Sequence, residues 1–129
     1  IAYWFKGDSR VDLELLKYVN LLKSRGINIY LATNQERMRA AYLWNEVGFN
    51  KYFDGIFYSA KIGCIKEDPS FFLHINKKLS LNPSEDRILF FDDQQPYVQA
   101  AKNAGWHAFL YEKIADFLSN SHILTLLGK

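Results

Sequence analysis

The sequence predicts an α/β fold: a three-layer, Rossmann-like core with a mostly parallel sheet and helices on both faces. Three observations carry that prediction. Short β-rich runs alternate with amphipathic helical segments along the whole chain. The segments between strands are long enough for the crossovers that join parallel strands, and far longer than hairpin turns. Helical segments stop at glycine, at Gly26, Gly48 and Gly105, the residue that most readily adopts the left-handed conformation after a helix.

The elements follow in order. "DLELLKYVNLLKSRG" places Leu15, Leu16, Val19 and Leu22 on one helical face. "INIYLAT" is a strand over Ile27 to Thr33. "NQERMRAAYLWNEVG" is a helix capped by Asn34 and closed by Gly48. "GIFYS", from Gly55 to Ser59, is a strand. "DPSFFLHINKKL" opens a helix with Asp68 as cap and Pro69 at the first helical position. "RILFFD" is a strand, "QPYVQAAKNAG" a helix, "WHAFLY" a strand, and the tail from Glu112 is helical.

Bulk properties narrow the function classes. The 129 residues suffice for one domain with a real core. Half the chain is apolar and 23% is charged, a globular balance. A net charge of +2 is too small to argue for nucleic acid or an anionic membrane, and neither is expected as a partner. No apolar run approaches the length of a membrane span. One cysteine, Cys64, leaves no internal disulfide, which fits a reducing, cytoplasmic setting. His74, His107 and His122 have no partners at metal-ligand spacing, so no zinc site is expected.

In an open parallel sheet, ligands bind at the carboxyl ends of the strands. The residues that follow the strands are Thr33 and Asn34, then Ser59 and the loop "AKIGCIKED", then Asp92 and Asp93, then Tyr111 and Glu112. A hydroxyl, an amide, a lysine and an acidic pair thus converge on one edge. Two carboxylates there suit magnesium (Mg2+), which takes one or two protein carboxylates together with waters and a substrate phosphate. A lysine and a hydroxyl hold phosphate oxygens by charge and hydrogen bonds. The set fits phosphoryl transfer, which depends on positioning and charge neutralisation. Each residue also has a plain structural reading. The acidic pair can be a solvated turn with Asp93 capping the next helix. Thr33 can belong to a capping box in "TNQE", and Lys66 can be a surface lysine.

The ordered motifs "YLATNQ", "KEDPSFF" and "ILFFDDQQPYVQAAKNAGW" resemble the haloacid dehalogenase-like (HAD) superfamily of hydrolases, as does "VGFNKYFDGIFYSAKIG". The resemblance covers about Val11 to Tyr111 and implies roles residue by residue. Thr33 would hydrogen-bond phosphoryl oxygens, and Asn34 would contact substrate. Lys66 would pair with the nucleophile and with phosphate charge. Asp93 would ligate Mg2+ directly, and Asp92 beside it would orient a metal-bound water. The implied reaction is magnesium-dependent hydrolysis of a small phosphorylated metabolite. The oligomeric state is left open.

Two departures accompany the resemblance. Glu67 stands where proline usually follows the lysine. More seriously, the family's first motif is an apolar strand ending in Asp-x-Asp, which supplies the nucleophile and the general acid/base. No Asp-x-Asp occurs in these 129 residues. In "IAYWFKGDSR", Asp8 could stand at the acid/base position, but Lys6 would replace the nucleophile. The expectation is therefore that residues 1–10 are the remnant of a helical cap or a replacement strand, with residues 11–129 as the HAD-like core. That core would be missing, or replacing, its central first strand. The nucleophile would belong to a longer parent, and the chain alone would be inactive. The rival is a degenerate, non-catalytic member that binds a phosphate ligand or a partner protein. A phospho-accepting receiver domain is disfavoured, because there the acidic pair precedes the hydroxyl and the lysine.

Overall fold

The structure is a computed structural model that describes residues 2–6, 13–33, 37–59 and 68–128. Its strands are β1 (Ala2–Lys6), β2 (Asn28–Thr33), β3 (Gly55–Tyr58), β4 (Arg87–Asp92) and β5 (His107–Leu110). Among the described residues they form one parallel sheet in the order β3-β2-β1-β4-β5. The helices are α1 (Leu13–Ser24), α2 (Arg37–Ala41), α3 (Pro69–Leu79), α4 (Gln95–Asn103), α5 (Ile114–Leu118) and α6 (Ser121–Leu126).

Two apolar layers sandwich the sheet, and strand alternation divides the residues between them. Ile29, Leu31, Leu89 and Phe91 pack on one face with Leu15, Val19 and Leu22 of α1, Phe117 of α5 and Ile123 of α6. Phe5, Ala32, Ile88 and Phe90 pack on the other with Phe71, Phe72 and Ile75 of α3 and Val98, Ala100 and Ala101 of α4. This is the three-layer Rossmann-like architecture expected.

Residues 2–6 settle one alternative. They form the central strand, with Phe5 in register with Tyr30 of β2 and Phe90 of β4. The helical-cap reading therefore does not hold for these residues. Composition, burial and pairing together give the physical reason. The run is rich in aromatic residues, which favour a pleated surface, and Phe5 is fully buried among rings. Its centroid lies 4.4 Å from Trp106 and 5.3 Å from Tyr30. A strand here also pairs the inner edges that β2 and β4 would otherwise expose.

Other boundaries shift for identifiable reasons. The helix expected up to Gly48 is α-helical over Arg37–Ala41 and continues as a π-turn over Tyr42–Glu46, where the Val47 N–H donates to the Tyr42 carbonyl at 3.0 Å. Its expected cap, Asn34, lies outside the described residues. The tail is two short helices, because Asn120 caps a new one through the N–H groups of His122 and Ile123. Asp68 caps α3 as expected, accepting the Ser70 N–H at 2.9 Å. No described helix is long and apolar enough to cross a membrane.

Candidate active site

The strand order places a topological switch point between β1 and β4. The chain moves outward from β1 through β2 to β3, then returns to the other side of β1 as β4. In open α/β sheets the ligand crevice lies outside the carboxyl ends of the strands at that point. The acidic pair stands there: Asp92 is the last residue of β4, and Asp93 begins the turn into α4.

The surroundings of Asp92 are specific. It is fully buried, and it is the buried polar side chain among the described residues. A carboxylate removed from water needs hydrogen bonds or counter-charge. One oxygen, Oδ1, accepts the backbone N–H of Gln94 at 2.9 Å. The carbonyl of Asp92 accepts the backbone N–H of Tyr111, just past β5, at 2.8 Å. The strand end is thus held on both its side chain and its main chain. Asp93 is half-buried. The N-cap position of α4 is Gln94, whose side chain makes no capping hydrogen bond, with Pro96 in the first turn.

Thr33 ends β2, in register with Tyr58 of β3. β1 lies between β2 and β4, so the backbones bearing Thr33 and Asp92 are about 10 Å apart across the sheet, two strand spacings. Lys6, the last residue of β1, pairs with Leu31 of β2 and Phe91 of β4. Thr33 and Asp92 thus lie two residues and one residue beyond that row. Ser59 follows β3 and is half-buried. Lys66 and Asn34 lie outside the described residues. The structure therefore brings the backbone positions of Thr33 and the acidic pair to one edge.

Sequence reasoning missed two groups at this edge, the main-chain N–H groups of Gln94 and Tyr111. The first had a signal. An aspartate commonly accepts the N–H two residues on, and Asp92 stands two before Gln94. The second depends on β5 lying beside β4, which no local pattern shows.

The donors suit a hard cation. Both described acids offer oxygen, and Mg2+ completes its shell with waters and substrate phosphate rather than a full protein cage. Among the described residues, no group of three or more His, Cys, Asp or Glu gathers as a metal cage.

Comparison with known proteins agrees with this geometry. The family model for haloacid dehalogenase-like hydrolases matches residues 3–105. A phosphorylated carbohydrates phosphatase of Thermotoga maritima is 30% identical over 103 residues, covering 74% of this chain and 47% of the relative. A sesquiterpene phosphatase of Aspergillus oryzae is 30% identical over 105 residues, covering 77% of this chain and 50% of the relative. The chain thus spans about half the length of these curated relatives. Among solved structures, a HAD family enzyme of Bacteroides thetaiotaomicron in complex with magnesium and inorganic phosphate superimposes with a TM-score of 0.64 at 21% identity. That match covers 79% of this chain and 54% of the other. With its motifs in order and its sheet in this topology, the chain belongs to the haloacid dehalogenase-like hydrolases.

Proposed function

We propose that the switch-point edge is the phosphate- and metal-binding half of a magnesium-dependent phosphatase acting on a small phosphorylated metabolite. The observation that carries this reading is a fully buried Asp92, followed by a half-buried Asp93, at the crevice between β1 and β4. Names of relatives add support, since both curated relatives are phosphatases. Their substrates differ, one carbohydrate and one terpenoid, so the phosphoryl group is the shared feature.

In this reading Asp93 would hold Mg2+, which would supply charge neutralisation at the phosphate. Asp92, anchored by the Gln94 N–H, would fix the direction of the strand end and orient a water of the metal site. Thr33 donates a hydroxyl hydrogen bond to the phosphoryl oxygens, Asn34 contacts substrate, and Lys66 balances negative charge. The span of about 10 Å between the backbones of β2 and β4 accommodates a phosphate flanked by its ligands. Hydrolysis also needs a carboxylate nucleophile. The 129 residues contain no Asp-x-Asp, so turnover belongs to a protein that carries that motif, and this chain alone does not turn over. The protein acts in the cytoplasm, in keeping with its single cysteine.

One observation favours a second reading, non-catalytic phosphate binding. The strand that occupies the slot between β2 and β4 ends in Lys6 rather than in a carboxylate. Assaying an aryl phosphate with Mg2+, on this chain and on any longer product of its gene, separates the two. Turnover by the longer product, lost in Asp93→Ala, supports the phosphatase. Inorganic phosphate binding without turnover in either protein supports the second reading.

A further inference from the structure

Away from the acidic pair, where β4 and β5 begin, lies a cluster that the proposed activity does not use. His107 opens β5 and is exposed; His122 lies in the first turn of α6 and is half-buried. Their ring centroids are 4.9 Å apart with planes inclined by 39°, and His122 also lies 5.7 Å from the ring of Phe109. Arg87 opens β4, two residues before Leu89, the partner of His107 in the sheet.

These rings join α6 to β5, an edge strand. Other attachments of α6 among the described residues do not titrate near neutrality. Ile123 and Leu127 enter the core, Asn120 caps the first turn, and the Arg25 guanidinium donates to the Leu126 carbonyl at 3.0 Å.

We propose that the His107–His122 stack is a pH-dependent latch that releases the carboxyl-terminal helix α6 from the edge strand β5 in acid. Two neutral imidazoles stack without charge repulsion. Protonating both places like charges about 5 Å apart, beside a permanently charged guanidinium. Among the described residues, the charged groups that act on His122 add to the repulsion. β5 presents His107 and β4 presents Arg87, and both oppose a charge on His122. α6 itself carries no other charged residue. The acid of α5, Asp116, accepts the N–H groups of Glu112 and Lys113 through Oδ2. Burial first, then His107 and Arg87, hold His122 below the usual histidine value of 6.5. A histidine with a lowered folded pKa contributes stability that is present above its unfolded pKa and is lost as pH falls toward the folded one. Release therefore belongs to the mildly acidic range, below the free imidazole value.

Amide hydrogen exchange, corrected for intrinsic rates, tests the latch between about pH 7.5 and about pH 5.5, which straddles that value. Protection of residues 121–127 is expected to fall several-fold in acid, while residues 87–92 of β4 keep theirs as an internal control. The fall should vanish in His122→Gln and shrink in His107→Gln. Equal protection at both pH values, or an undiminished fall in His122→Gln, overturns the proposal. A proton titration of the wild-type imidazoles needs no variant. His122 titrating below the free value agrees with the latch, and titrating at or above it contradicts it.

Discussion

Asp92 Oδ1 accepts the backbone N–H of Gln94 at 2.9 Å, so one oxygen of a fully buried carboxylate is committed to the turn that starts α4. Removing it leaves that N–H without this acceptor at a buried strand end. Asp92→Ala should therefore destabilise the fold by about 1–3 kcal/mol, the usual cost of stranding a buried polar partner. Asp92→Asn keeps an acceptor of the same shape and should cost less. Urea unfolding of the two variants ranks them; equal losses would show that the turn does not depend on the acceptor.

Phe5 is the hub of an aromatic cluster, with centroids 4.4 Å from Trp106, 5.3 Å from Tyr30 and 6.5 Å from Phe57. Phe5→Ala should cost about 3–5 kcal/mol, as for large-to-small changes in packed cores. A loss below about 1 kcal/mol, typical of exposed sites, would argue that β1 does not occupy the centre of the sheet.

The Trp106 indole donates to Asn76 Oδ1 at 2.7 Å, tying the start of β5 to α3. Trp106 is buried, and its ring packs against Phe72 and Phe90. Asn76→Leu should cost about 1–3 kcal/mol, because the indole N–H loses this acceptor. Trp106→Phe loses ring packing in either background, but it should cost less in Asn76→Leu than in wild type, since the hydrogen bond is already gone there. Strict additivity in the double-mutant cycle would contradict the coupling.

Local patterns made most of the layers legible. Short β-rich runs between helical segments marked β2 and β4 as strands, and the structure divides their residues between the faces, Ile29 and Leu31 on one and Ile88 and Phe90 on the other. Asp68 followed by Pro69 marked the start of α3 in side-chain chemistry alone. The acidic pair stood out because carboxylates directly after a buried run need a reason. What was not legible depends on distant neighbours. β1 reads ambiguously on its own, and only the unpaired edges of β2 and β4 turn it into a strand. The N-cap position of α4 falls on Gln94 rather than on Asp93, the better capping residue by type, and Asp92 accepts the Gln94 N–H in that turn. The stacking of His107 with His122 joins an edge strand to a helix that follows it, and no spacing rule brings them together.

The measurement that bears most directly on the proposed site is calorimetric titration of inorganic phosphate into this chain, with Mg2+ and with a chelator, for wild type and Asp93→Asn. Asp93 is half-buried and directly precedes the N-cap position of α4, and Asn keeps the size of its side chain, so urea unfolding run beside the titration should find the variant folded. Phosphate binding that requires Mg2+ and is lost in Asp93→Asn is the predicted result. Binding that is equal with chelator, or unchanged in Asp93→Asn, would contradict a magnesium–phosphate site at the end of β4.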